Sequence, residues 1–515
     1  MSHQTPNTPV TADPPGLSRR TLGVPALVFM TIAASAPLTV VAGGYPSNFA
    51  VSGVIGVPLS FIVLGVALTL FTVGYAAMST KIRNAGAFYA YIAQGIGKRT
   101  GVAASFIALT AYNCIQIAVY GLFGFASAAF INSKTGAEIP WWATASVAFV
   151  VVAWLGINKV DFSVRVVAIM VGLEFLAVIV FDVAAFAVQP EGVSSAGLMP
   201  GDLFTAGVGA VLAFSIASFM GFESAAIYSE ESKDPTRSIA RATYISVAII
   251  AVFYAFSAWA MMIGTGPDQI VGASRELGPE LLFAFLGQNV GTLMADVAQA
   301  LFLTSLFASL LAFHNAVARY IFSLARENVL PKRLAYVNGR THAPVAGSLT
   351  QSAIALIVVL VFAVAGTGSE LGSLFPVLTL FTWLSNTAAL GLVFLMVLVS
   401  LSVWGYFRAN HHGHSLWTRF IAPLLSALAL GVVCVLIFVN FDVLIGSSGS
   451  SLLSWILPAI ALLPGAAGLW WGHYLKSKAP AVYDGIGHGS EGAPVGEHPS
   501  GQQASDSEVL QVAQA

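Results

Sequence analysis

The chain has 515 residues, 57% of them hydrophobic and only 9% charged, against about 25% charged in ordinary soluble domains. That balance describes an integral membrane protein, with the lipid bilayer as its solvent, rather than a globular one. A net charge of −1 gives no reason to expect nucleic acid as a partner. Two cysteines, Cys114 and Cys434, both in apolar segments, suggest neither a disulfide framework nor a metal site.

Residues 1–21 are polar and rich in Pro and Thr, and are expected to be a disordered cytoplasmic tail. Ser18-Arg19-Arg20, an apolar run and Ala34-Ser35-Ala36 together mimic a twin-arginine signal peptide. The many spans that follow favour a first transmembrane helix with a basic flank instead. Hydropathy predicts spans at 22–44, 53–78, 101–131, 141–157, 163–188, 204–230, 239–264, 289–320, 344–365, 371–403, 419–441 and 452–475. From 479 onward the composition returns to Gly, Ser, Glu and His, and a second disordered tail is expected. With both termini cytoplasmic, 20 of the 22 Lys and Arg fall at inner loops and flanks, Lys134 and Arg275 being the exceptions. A miscounted span would invert every later loop and destroy this segregation, so the pattern supports twelve helices.

Two of the predicted spans are ill suited to run unbroken. In 204–230, the middle stretch Ser215-Ile216-Ala217-Ser218-Phe219-Met220-Gly221 is small, hydroxylated and poor in helix formers, and Glu223 follows inside the apolar zone. In 22–44, Met30 to Ala36 ends in Pro37, which removes a helical hydrogen bond and clashes with the preceding turn. Lipid cannot satisfy the backbone groups released by a break, so such breaks persist only against protein or a wet cavity. The two spans lie five helices apart, the spacing that an inverted repeat with discontinuous helices would give. Close-packed kinked helices would explain either segment alone.

Three stretches carry a family resemblance over roughly residues 20–475. One is the interrupted first span followed by Ser52-Gly53 and a long second span ending Met78-Ser79. Another is Asn84-Ala85-Gly86-Ala87-Phe88-Tyr89-Ala90-Tyr91. The most specific is Phe219-Met220-Gly221-Phe222-Glu223-Ser224 with Glu230-Glu231 through Pro235, Arg237 and Ile239. Together they resemble the amino acid–polyamine–organocation superfamily, and bacterial amino acid permeases within it. The resemblance implies an all-α membrane protein of the leucine-transporter-like five-plus-five inverted repeat. The first repeat would occupy 22–188 and the second 204–403. Two additional helices would follow at 419–475, with helices one and six discontinuous. The family's first-helix Gly-Ser-Gly stands here as Ala34-Ser35-Ala36, and alanine tolerates left-handed backbone less well than glycine.

A helix N-terminus offers free N–H groups and partial positive charge, and a C-terminus the reverse. Two breaks side by side therefore suit a zwitterionic amino acid or related amine. By this logic and by the resemblance, Ala34, Ser35 and Ala36 receive the carboxylate. The carbonyls around Phe214, Ser215 and Ala217 receive the amine, Phe219 or Phe214 serves as a lid, and Gly221 lies at the break. Asn113 and Gln116 of the third span are candidates to complete the pocket. Intramembrane acids are costly unless paired or wet, so Glu174 or Glu223 is the expected proton-coupling group. Some relatives carry a lysine near Glu174, and that lysine's mechanism does not transfer to a glutamate. Asp182 and Asp296 are expected to line an outer vestibule.

The expected function is proton-coupled import of an amino acid or related amine across the cytoplasmic membrane, with no cofactor. A polyamine or amino acid exchanger and a transport-derived sensor are the alternatives. No His–carboxylate cluster, phosphate-binding Gly loop or nucleophile elbow points to an enzyme. Oligomeric state and substrate identity are left open by the sequence.

Overall fold

A computed structural model of the protein describes residues 22–82, 84, 86, 88–158, 164–223, 225, 232–341, 343–409, 413–446 and 451–488. The tail 1–21 and residues 489–515 lie outside the described residues. So do Ala85, Ala87, Ser224, Glu230 and Glu231 of the family-like stretches. The described chain is helical, without a named strand.

The helices that position the site are α1 (Val24–Ser35), α2 (Tyr45–Ser52), α3 (Val57–Ser79), α4 (Phe88–Gly95), α5 (Lys98–Thr135), α6 (Trp141–Asn158), α7 (Val164–Val188), α8 (Val208–Phe219) and α9 (Pro235–Thr265). Then follow α10 (Ile270–Leu277), α11 (Leu281–Asn289), α12 (Thr292–Arg326), α13 (Val345–Ala365), α14 (Thr382–Ala409), α15 (Ala422–Val439), α16 (Leu453–Lys478) and α17 (Pro480–Gly485). Their ends follow local chemistry. Pro58 sits in the first turn of α3, where a missing N–H costs nothing. Gly136 ends α5 in the left-handed conformation at φ 69°.

Eleven helical segments among the described residues are long and apolar enough to cross a membrane, counting Val24–Ser52 as one. The sixth predicted span, 204–230, differs. Its described helical part is the twelve-residue α8, and residues 224 and 226–231 beyond it are outside the described set. The segment 268–287, between the predicted spans 239–264 and 289–320, holds α10 and most of α11.

Large apolar side chains such as Val147, Trp154, Ile169, Val252 and Val364 face outward. On a soluble protein this would be an aggregating surface; here it is the face that meets lipid. The interior is closely packed: a Cβ added to Gly468 would lie 2.7 Å from the Ala103 Cα, so a glycine lets α16 approach α5. Many interior hydroxyls are satisfied within their own helix, as Thr72 is by the Leu68 carbonyl at 2.7 Å. The chain is a multi-pass membrane protein.

Several of the segments between helices meet at one end of the bundle. There Lys233 N–H donates to the Leu22 carbonyl, and Asn84 donates to Glu327 at 2.8 Å. Part of the expected C-terminal tail is ordered at this end. Residues 480–485 form α17, Ile486 is fully buried, and the Gly487 N–H donates to Glu327 Oε2 at 2.9 Å. Glu327 and Gln94, which bonds the Gly487 carbonyl, supply the partners that composition alone did not reveal.

Candidate functional site

Two interruptions of helical geometry face one another inside the bundle. The first is at Ala36, which stands at φ 50° and ψ 77° between the end of α1 and a helical restart at Pro37. Left-handed backbone costs a non-glycine residue about 1–2 kcal/mol. Proline is well placed directly after it, because a first-turn residue has no intrahelical N–H bond to lose. Ala36 N–H folds back onto the Ile32 and Ala33 carbonyls at 3.0 and 3.2 Å. In an unbroken helix Leu38 N–H would bond Ala34; here it donates to Glu174 Oε2 of α7 at 3.3 Å. That oxygen also accepts the Ser305 hydroxyl at 2.7 Å, and Ser305 in turn receives Thr39. A carboxylate at the start of a helix is where the helix dipole favours negative charge.

The second interruption is at the end of α8. Met220 turns to extended geometry, and Gly221 takes φ 105°, a conformation that L side chains rarely adopt. Phe222 N–H returns to the Phe219 carbonyl at 3.1 Å, so the Ser218 carbonyl loses the partner a continuing helix would give it. Gly221 N–H donates to Glu223 Oε2 at 3.1 Å, and Tyr112 of α5 donates to Glu223 Oε1 at 2.6 Å. Each interruption thus passes one released N–H to a buried glutamate.

The interruptions touch directly. A Cβ on Gly221 would lie 2.9 Å from the Ala34 Cβ and 3.1 Å from Ser35 N. The Ser35 hydroxyl reaches the Ser218 carbonyl at 3.0 Å and shares a hydrogen bond with the Tyr254 hydroxyl of α9 at 2.7 Å. Beside this contact lies a cavity of about 50 Å³, room for a few waters at about 10–15 Å³ of such volume each. Ala34, Ser35 and Ala36 line one side, and Phe214, Ala217 and Met220 line another. Ser309 and Phe313 of α12, with Phe381 and Ser385 across from them, close the remainder. No lining side chain is charged, so a ligand's charges would be met by hydroxyls and helix-end backbone.

Several sequence candidates lie apart from this cavity. Ser215 turns toward α2 and α3, bonded to Asn48 at 3.2 Å and Ser60 at 2.6 Å. Phe219 packs on Phe61 with ring centroids 6.0 Å apart and does not line the cavity, so it supplies no lid there. Gly221 backs the first interruption without lining the space. Asn113 donates to the Leu109 carbonyl of its own helix. Gln116 bonds Gln351, and with His314 and Ser348 forms a polar cluster joining α5, α12 and α13. Glu174 and Glu223 stand behind the interruptions rather than in the cavity wall. Asp182, expected in a vestibule, is buried and accepts the Ser257 hydroxyl at 2.8 Å. Asp296 is half-buried and pairs with Lys134 at 2.6 Å. Sequence reasoning missed Tyr254 and Ser385, which are ordinary polar residues in apolar helices until the fold brings them beside Ser35 and the cavity.

Residues 22–463 match the amino acid permease family. The branched-chain amino acid permease BcaP of Lactococcus lactis subsp. cremoris is 22% identical over 372 residues, which cover 68% of this chain and 75% of that protein. The low-affinity putrescine importer PlaP of Escherichia coli K12 is 25% identical over 371 residues, 70% of this chain and 78% of that protein. The mouse Asc-type amino acid transporter 1 is 26% identical over 333 residues, 60% of this chain and 59% of that protein. The chain therefore belongs to the amino acid permease family.

Proposed function

We propose that the protein is a secondary transporter that imports an amino acid, or a related amine, through the space between the two interrupted helices. The observation that carries this reading is the direct apposition of Ala34–Ala36 and Ser218–Gly221 beside an uncharged cavity. The proposed architecture is twelve spans in a five-plus-five inverted repeat with two additional helices. In it Val24–Ser52 is the first discontinuous helix and α8 begins the sixth. Both termini are cytoplasmic, a placement supported by the segregation of Lys and Arg to the loops at one end. Alternating access would rock one set of helices against the other around the fixed site.

Ala34–Ala36, Phe214 and Ala217 are the binding residues best supported by their position in the cavity wall. Pro37 has no N–H, and Leu38 N–H is held by Glu174, so the substrate carboxylate would rely on Ser35 and neighbouring backbone. Glu174 and Glu223 remain the proposed proton-coupling groups. Protonating either would weaken its hold on the N–H it accepts, which links proton occupancy to the geometry of an interruption. Symport with protons is the first reading. The putrescine importer among the relatives favours a second, in which an amine or diamine is carried.

The test is uptake by proteoliposomes containing the full chain, with a panel of amino acids and putrescine under an imposed pH gradient. Accumulation abolished by a protonophore supports symport. Counterflow without net accumulation points to exchange. Absence of both uptake and ligand-dependent thermal stabilisation across the panel would remove the transport reading.

A further inference from the structure

A second, larger cavity of about 520 Å³ is lined by residues that neighbour those of the first along two stretches of chain. The two spaces share two walls. Along the chain that leads into α2, the lining passes from Gly44 in the inner cavity to Pro46 and Ser47 in the outer one. Along the turn before α14 it passes from Phe381 to Val377 and Leu378. Both steps are about one helical turn or less, roughly 5 Å of rise. A molecule in the outer cavity is therefore about one residue layer from the inner one.

Among the described residues, Arg275 is the one charged side chain lining this outer space. Its Nε–H donates to the Ala50 carbonyl at the end of α2, at 3.0 Å. That bond fixes the guanidinium plane beside Gly53 while leaving its remaining N–H groups uncommitted to any carboxylate, since no ion pair to Arg275 is present among the described residues. Next to it, Ser274 is 1% exposed, lines the same cavity, and its hydroxyl oxygen has no hydrogen-bond partner. That oxygen is closed off from the cavity, so Ser274 packs the wall behind Arg275 rather than facing the space.

The geometry points to a vestibule subsite in which Arg275 holds the carboxylate of an incoming amino acid before it enters the inner cavity. This rests on the transport reading above and narrows it. An arginine at the mouth attracts carboxylates and repels diamines, so the subsite selects amino acids over polyamines at the point of entry. Arg275 was one of two cations outside the inward-biased set in the sequence, and it now has a task that explains its place.

The experiment uses the full chain in proteoliposomes, with the best-transported member of a panel of L-amino acids, its carboxamide, and putrescine as probes. In Arg275→Gln the KM for the amino acid is expected to rise about two- to fivefold, the range of a partly exposed ion pair, with little change in the maximal rate. Arg275→Lys should recover part of the loss, and the difference should shrink at high salt, where exposed charges are screened. Inhibition by the carboxamide and by putrescine should be unchanged or stronger in Arg275→Gln. Amino acid uptake with an unchanged KM in that variant overturns the subsite and leaves the transport reading standing. An equal loss for all three probes also overturns it, since that is what mere anchoring of α2 through Ala50 would do. If the wild-type protein neither transports nor is inhibited by any probe, both readings fall together.

Discussion

The Ser35 hydroxyl donates to the Ser218 carbonyl at 3.0 Å and meets the Tyr254 hydroxyl at 2.7 Å. One small side chain thereby ties the end of α1 to the end of α8 and both to α9. The Ser218 carbonyl is free to accept because Phe222 N–H has turned back to Phe219. The first interruption thus satisfies, through the Ser35 side chain, a carbonyl that the second releases. Substituting Ser35→Ala leaves two buried polar groups short of a partner, at about 1–3 kcal/mol each. The variant should unfold at a lower temperature in detergent and lose most uptake. Tyr254→Phe, which keeps the bond to Ser218, should lose less. A double-mutant cycle between the two positions that shows no coupling would refute this account.

Gly221 is the residue least replaceable by a larger one. Its φ of 105° disfavours any L side chain, and an added Cβ would lie 2.9 Å from the Ala34 Cβ. Gly221→Ala must therefore push the two interruptions apart or lose its conformation, at a cost of about 1–3 kcal/mol in strain. Uptake is expected to fall by about five- to 150-fold, since 1.4 kcal/mol is a factor of ten. Gly172→Ala in α7 is the control, because a Cβ there meets open space. Equal uptake in both variants would mean that the contact at Gly221 is not needed for transport.

How much of this was legible beforehand depended on whether the cause was local. Pro37 after a run of small residues, and the Ser-rich centre of 204–230, announced their interruptions because helix propensity is set by neighbouring residues. Eleven of the predicted spans were legible for the same reason: twenty apolar residues are a local fact. The partners were not. Glu174 and Leu38 are separated by 136 positions, and Ser35 and Tyr254 by 219. No periodicity in one helix says which face of another will meet it. Ser215 and Phe219 were drawn into the expected pocket by proximity in sequence. Helical rotation turns them instead toward Ser60 and Phe61 of α3.

The two glutamates make separable predictions. Glutamine at position 174 or 223 keeps a carbonyl oxygen for Leu38 or Gly221 N–H but cannot change its charge. If Glu174 carries the coupled proton, Glu174→Gln should retain counterflow while losing its response to a pH gradient, and Glu223→Gln should keep that response. The reverse pattern assigns the role to Glu223. Uptake measured from pH 5 to 8 at fixed membrane potential reads the difference, and an unaltered proton dependence in both variants removes glutamate coupling from the mechanism.

The C-terminal segment offers a prediction independent of transport chemistry. Glu327 accepts Asn84 Nδ2 through one oxygen and Gly487 N–H through the other, at 2.8 and 2.9 Å. Lys98 adds a hydrogen bond to the Asp484 carbonyl at 2.6 Å and lies over the Tyr483 ring, with its nitrogen 5.7 Å from the centroid. Exposed contacts like those of Lys98 contribute up to about 1 kcal/mol, whereas the buried Glu327 side chain accepts from both Asn84 and the Gly487 N–H. Glu327→Ala should therefore free residues 480–488 far more than Lys98→Ala. Limited proteolysis in detergent reads this directly: cleavage between 479 and 488 should accelerate strongly in Glu327→Ala and only slightly in Lys98→Ala. Similar rates in the two variants would mean that burial of Ile486, not the Glu327 carboxylate, holds the segment in place.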